Sequence, residues 1–363
     1  MTPADDGAKQ SVVLAPSGKD ELGFLGGCVR HVGLCLAVAA ASACTTSPRF
    51  DGPLGARNQH PAQLVVGRLR PRSSEAVPAG SVDVDLSSAY TSLFLGGQGG
   101  LDTFRMDGEY LRTALAARIG LGAGFDLEIE VPTAHATGGF LDDFVIGWHD
   151  FFGFPDQGRD LAARDEFEVL ATRGGQTVFE VEEDGLHVLD VPLVLGYELV
   201  PLRDGPIGVH VRGGVDLPVG SAANGYGNGS ADWMFGLSTE WRTGPVAWNA
   251  HVDHTFVGAM DQASRAGAPL RDVTSGGVGC EWAIAPAWSW LAQVEYDRST
   301  LRGLDLSRTS DDQWLLWLAS RFRLDERIGL EVGLGEDLSQ YIAPDFSAWL
   351  SVRYHFGPRR DPL

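Results

Sequence analysis

Residues 345–357, DFSAWLSVRYHFG, alternate, with Trp349 the one apolar residue in the polar register. Phe346, Ala348, Leu350, Val352, Tyr354 and Phe356 are apolar, whereas Ser347, Ser351, Arg353 and His355 in the intervening set are polar. A period of two over this length predicts an extended strand with one oily and one wet face. The pattern recurs at about 81–93, 106–120, 125–134, 187–200, 206–218, 231–242, 246–258, 273–284, 288–299, 313–324 and 328–338. With 345–356 that makes about twelve runs, each near the ~9–11 residues a tilted strand needs to cross a bilayer.

The faces are consistent within each run. Ile207, Val209, Val211, Val215 and Leu217 oppose His210, Arg212 and Asp216. Phe125, Leu127, Ile129 and Val131 oppose Asp126, Glu128 and Glu130, and Trp290, Ala292, Val294 and Tyr296 oppose Gln293, Glu295 and Asp297. The connections sort by parity. Short ones at 120–124, 201–205, 243–245, 285–287 and 325–327 alternate with longer ones at 94–105, 135–186, 219–230, 259–272 and 300–312, the segment 339–344 being a short exception. A soluble β-sandwich has no reason to sort its loops this way, whereas a bacterial transmembrane barrel has short periplasmic turns and long outer loops. The expectation is an all-β fold: a closed antiparallel transmembrane β-barrel of about 12 strands over 81–357, in the bacterial outer membrane. The wet faces then look inward, because hydrocarbon cannot solvate them.

Aromatic residues follow the turns. Trp241 and Trp248 flank one short turn, Trp282 and Trp288 another, and Phe322 and Phe356 belong at the same end. They predict a periplasmic girdle, with Tyr90, Trp233, Phe256, Tyr296 and Trp314 as the outer belt.

Upstream of the strands the pattern changes. Residues 1–44 read as a secretory signal: Arg30 and His31 precede the apolar run VGLCLAVAAASA, which is too short to span and ends in small residues. Cys44 after Ala41-Ser42-Ala43 is a candidate lipidation site, although Ala41 stands where lipoproteins usually carry Leu. Residues 45–80, rich in Pro, Arg and Ser, have no period and read as an irregular lead-in, periplasmic or entering the lumen. Residues 358–363 are a tail.

Composition alters this picture little. The net charge of −20 argues against nucleic acid as a partner; membrane lipid is the expected one. The mean hydropathy of −0.05 suits alternating strands, whose two faces cancel in any window. Forty-seven glycines fit bulges, bends and tight turns. Cys28, Cys35, Cys44 and Cys280 have no metal-ligand spacing.

The run GGFLDDFVIGWHDFFGFPDQGRD within residues 138–160, together with DGPLGARNQHP at 51–61, resembles the domain-of-unknown-function 3187 family of outer-membrane proteins. The resemblance implies a barrel and no assigned activity, and so transfers no catalytic residue. Gly138 and Gly139 should end a strand. Phe140, Leu141, Phe144, Val145 and Trp148 then recur at helical spacing after Asp142 and Asp143, which predicts a short amphipathic helix over 140–152 ended by Pro155. Its apolar face must be covered, either in the lumen as a plug or on the outer rim, and contact with the barrel mouth or lumen is the preferred reading.

Candidate chemistry is sparse. His149 and Asp150 beside Asp142 and Asp143 could suggest a metal or acid–base site, but adjacent helical residues do not converge on one ion. His251 and Asp253 share a wet face, best read as lumen lining. No hydrolase, phosphate-binding or dinucleotide fingerprint stands out, and no cofactor is implied. A lumen charge ladder is easier to argue: Arg321 should lie across from Glu331 with Arg353 one strand further, and Arg118 across from Glu128. The readings carried forward are a narrow channel for small solutes, a non-conducting structural or partner-binding barrel and, more distantly, an outer-membrane hydrolase.

Overall fold

The computed structural model describes residues 49–155, 158–339 and 343–357. The segment read as a signal, Cys44 and the tail lie outside the described residues.

Twelve strands close a barrel: β1 (Val82–Gly99), β2 (Asp102–Gly122), β3 (Phe125–Thr137), β7 (Val191–Val200), β8 (Ile207–Leu217), β9 (Asp232–Thr243), β10 (Val246–Phe256), β11 (Val273–Ala285), β12 (Trp288–Asp297), β13 (Gln313–Arg323), β14 (Ile328–Asp337) and β15 (Phe346–Phe356). Each pairs antiparallel with its neighbour in sequence. The ring closes where β1 meets β15, from Val82 opposite Phe356 to Ser92 opposite Phe346. Closure leaves no bare edge at membrane depth. No described helix is long and apolar enough to cross a membrane. The protein is an outer-membrane β-barrel.

β1 and β2 are longer than the alternation suggests, 18 and 21 residues, and rise beyond the other strands on the outer side. The segment 135–186, read from sequence as one loop with a helix, also contains β4 (Glu168–Arg173), β5 (Gln176–Glu180) and the two-residue β6 (His187–Val188). β4 pairs with the upper end of β2, Asp102 to Asp107, above the stretch that pairs with β3. It covers an edge that the overlong β2 would otherwise expose.

The two faces of the wall are inverted relative to a soluble protein. Leu86, Leu115, Val252, Val278 and Leu350 point outward and are exposed, whereas Asp85, Glu128, Glu240, Glu281, Glu295 and Arg321 point inward and are buried. Aromatics mark both rims. Trp241 pairs with Trp248 across one periplasmic turn, and Trp288 stacks on Phe322 at 6.3 Å beside another. At the outer end Trp233 pairs with Phe256, and Tyr296 packs on Trp314 at 4.9 Å.

The helix in the long loop, α2 (Asp142–Phe152), forms where the sequence places it, and a left-handed Gly153 ends it two residues before Pro155. It does not enter the lumen. Phe140 stacks on Tyr90 at 5.5 Å, Phe144 and Trp148 meet Phe346 edge-on at 5.2 and 5.6 Å, and the Trp148 indole donates to Glu336 at 3.1 Å. Tyr90, Phe346 and Glu336 all occupy outward positions of their strands. The helix therefore clasps the outside of the wall near the outer rim. Glu109 accepts from the amides of Phe140 and Leu141. Beneath the clasp Arg159, 2% exposed, pairs with Asp142 and with Asp345, the latter at 2.6 Å. A plug assignment fails because Phe140, Phe151 and Phe152 stay exposed on this outer surface. Large aromatics favour a lipid-side rim over an ionic lumen.

Candidate functional site

The lumen is filled by the N-terminal lead-in. From the periplasmic end, where the Arg49 guanidinium donates to the Glu326 carbonyl at 2.9 Å, the chain climbs inside the barrel. Leu54 N donates to Gln293 at 2.9 Å, and the Asn58 amide reaches Gln313 near the outer end at 2.5 Å. One helical turn, α1 (Pro61–Leu64), reverses the direction; His60 caps it by accepting from Ala62 N, and Pro61 suits the first position. The Arg57 guanidinium pins the reversal by donating to the carbonyls of Gln63 and Val66. The chain then descends through Gly67, whose amide donates to Asp232, to Ser73, whose hydroxyl donates to Glu240 at 2.7 Å. It leaves at the periplasmic end, with Gly80 N bonded to the Gly120 carbonyl at 3.1 Å, and runs into β1.

The two legs lie against each other. Gly52 has φ 84°, and a Cβ there would come within 2.7 Å of the Ser73 backbone. Only glycine serves at a left-handed position with another backbone so close. Gly120 plays the same part on the wall, where an added Cβ would strike the carbonyls of Val77 and Pro78.

Two kinds of contact hold the hairpin. Apolar residues pack in two small groups, Leu54 with Leu291, Leu315, Trp317 and Trp349 at mid-depth and Leu69 with Val194 and Met234, and in one large group at the outer end, where Leu64 to Val66 join the ends of β1 and β2, β4, β5 and the outer loops. Between them runs a comb of arginines at alternate positions of the descending leg. Arg68 pairs with Glu295 and, at 3.0 Å, with Asp297. Arg70 pairs with Asp85 and faces Glu130 at 3.7 Å. Arg72 grips Glu128 with two bonds, Nη2 to Oε1 at 2.9 Å and Nε to Oε2 at 3.1 Å. The three guanidiniums fan out across the ring: Arg68 reaches β12, Arg70 reaches β1 and β3, and Arg72 reaches β3, on the wall opposite β12.

The wall residues singled out from sequence fall around this hairpin. Arg321 and Glu331 are partners across β13 and β14, with Nε 2.8 Å from Oε1, and Arg353 reaches Glu331 at 3.4 Å. Arg321 also pairs with Glu281 and donates to the Gly52 carbonyl at 2.9 Å, so it joins wall to hairpin. Arg118 sits directly opposite Glu128 in register, but the two do not pair. Arg118 bonds Asp126 at 2.5 Å, because Glu128 is taken by Arg72. The sequence signal for this exchange was present but unread: residues 49–80 hold five arginines against two acids in a chain of net charge −20.

The other candidates do not assemble. Asp142 is committed to Arg159, Asp143 to Arg164, His149 faces Glu336 at 3.6 Å and Asp150 is exposed. His251 lies 3.4 Å from Glu295 and 3.9 Å from Asp253, within the lumen network around Arg68. Among the described residues no group of histidine, cysteine or carboxylate side chains could hold a metal ion.

One solved structure shares the architecture, and two more align weakly. The COG4313 outer membrane channel from Pseudomonas putida F1 aligns with a TM-score of 0.52 at 11% identity, over 80% of this chain and all of that one. The Ralstonia pickettii toluene transporter TbuX aligns at 0.40 and 8% identity over 89% and 100% of the two chains, and the KdgM porin at 0.39 and 11% over 76% and 99%. At such identities the likeness is one of fold alone. No curated protein sequence matches the chain. The family model described as a protein of unknown function, DUF3187, matches residues 31–356, and the chain belongs to that family.

Proposed function

We propose that this barrel is an outer-membrane channel for small solutes whose resting state is closed by its own residues 49–80. The single observation that carries the reading is the lumen hairpin. It fills the barrel without pairing into the sheet: its tip, Ala62 and Leu64 to Val66, sits in a large apolar cluster at the outer end, and below that, between two small apolar groups, it is held by side-chain hydrogen bonds and ion pairs. Water can replace such polar contacts as the hairpin withdraws, which a dry apolar core does not allow. Both legs open toward the periplasmic end, so withdrawal is possible without breaking the ring.

The test is conductance in planar bilayers. Wild type should be closed or open only in rare events. The full-length variant R68Q/R70Q/R72Q, which keeps the chain but removes its ionic hold, should open at least ten times more often. A folded variant that stays shut would favour the second reading, a non-conducting barrel, which the complete filling of the lumen supports.

A further inference from the structure

We infer that the inner wall is a recognition track for an extended solute bearing guanidinium groups, and that the hairpin's arginine comb occupies the sites that solute would take. The inference rests on the channel reading above and names its solute class.

The wall supplies three carboxylate stations at descending depth, the first on β12, across the ring from the last on β3. Glu295 with Asp297 lies toward the outer end, Asp85 with Glu130 at mid-depth and Glu128 toward the periplasm. All five carboxylates project from the barrel strands β1, β3 and β12, so the ring fixes their spacing, not the hairpin. The comb places one guanidinium at each station, and at the middle one Arg70 shares the carboxylates with wall cations, Arg112 on Glu130 and Arg353 at 3.7 Å from Asp85. At Glu128 the contact is the parallel two-bond fork that a guanidinium makes and an ammonium cannot.

A second observation points to capacity beyond the hairpin's own charges. Asp253 Oδ2 and Asp216 Oδ1, both on the inner wall and buried, have no hydrogen-bond partner among the described residues. With residues 49–80 withdrawn, the wall loses five arginines and only two acids, which leaves it more negative by three charges. A narrow negative lumen concentrates cations and excludes anions. Aromatic platforms lie beside the track: Trp349, 2% exposed, has the Arg70 guanidinium 6.0 Å from its ring centroid. Guanidinium prefers such a face to the strongly hydrated lysine ammonium.

The test separates this inference from the channel reading. Triarginine amide, trilysine amide and triglutamate are titrated against full-length R68Q/R70Q/R72Q by calorimetry in detergent. The expected order is saturable binding of triarginine, at least tenfold weaker binding of trilysine and none of triglutamate. Adding E128Q and E295Q to the variant should weaken triarginine at least tenfold. Absent or indifferent binding overturns the inference, whether or not the variant conducts. Bilayer recording reads the other question: binding without conductance sinks the channel and keeps the track, and conductance without guanidinium preference does the reverse. Where the triple variant fails to assemble, as judged by heat-modifiable migration, R72Q alone is titrated. It vacates the least buried of the three stations and should bind arginine amide and not lysine amide.

Discussion

Two segments lie against this barrel, one inside and one outside, and their chemistry is opposite. The hairpin of residues 49–80 is fixed by arginine forks, amides and hydroxyls against buried acids. The clasp around α2 is fixed by Phe140, Phe144 and Trp148 against Tyr90 and Phe346, with aromatic surface left over. In a water-soluble protein the aromatic helix would go inside and the arginine-rich segment would stay out. Here the outer wall faces lipid and the inner wall faces water or a polar guest, so the usual sorting is reversed. A segment's destination follows from which face of the wall solvates it.

The sharpest way to break the comparison is at Arg321, where wall and hairpin share one cation. Arg321→Met should leave Glu281 to Arg323 alone and Glu331 to Arg353 alone, at a cost approaching but below the about 3–5 kcal/mol of a buried ion left wholly unpaired. The gel-shift temperature of the unboiled barrel should fall sharply, or assembly should fail. Exchanging Arg321 and Glu331 should recover only part of the loss caused by Glu331→Arg, because Arg321 has two further partners in Glu281 and the Gly52 carbonyl. Full recovery would mean those partners contribute little.

Next in size is the contrast between the two segments in conductance. The arginine-comb variant should open the barrel, while deletion of residues 138–160 should leave conductance unchanged, because that clasp is outside the lumen. A rise on deletion would return the plug role to α2. Smaller still is Phe144→Ser. Loss of its edge contact with Phe346 should cost about 1 kcal/mol. It should also reduce quenching of Trp148 by brominated lipid, with no change in open probability.

The smallest effect concerns the roof of the lumen. Asp190 accepts from the amides of Gly220 and Asn228, and burial pushes its carboxyl up to about 6 in spite of those donors. Its unfolded value is about 3.9. A carboxyl raised on folding favours the folded state while protonated, so this contribution is full below about 4 and is lost as the pH rises through 6. Amide protection over residues 220–228 should therefore be greater at pH 5 than at pH 7.5, and Asp190→Asn should flatten the difference.

Much of this was legible in the alternation. In β12, Gln293, Glu295 and Asp297 share the inward face and Val294 and Tyr296 the outward one, as a period of two requires. The parity of loop lengths points the short turns toward the periplasm. The helix over 140–152 was legible too, from its 3.6-residue spacing, but its side of the wall was not. Periodicity states that a face must be covered and is silent on the cover. Arg118 and Glu128 illustrate a further limit. Their register was readable across one turn, yet their partners were decided by Arg72, a residue 56 positions from Glu128 with no periodic pattern around it.

The chain by itself determined the strands, their two faces, the closure of the sheet and the membrane it occupies, because these depend on local alternation and on solvent. Only the tertiary structure decided what fills the barrel. An aperiodic segment has no preferred partner until twelve strands bring distant acids to a common axis, and at that point its arginines become the cations that neutralise them.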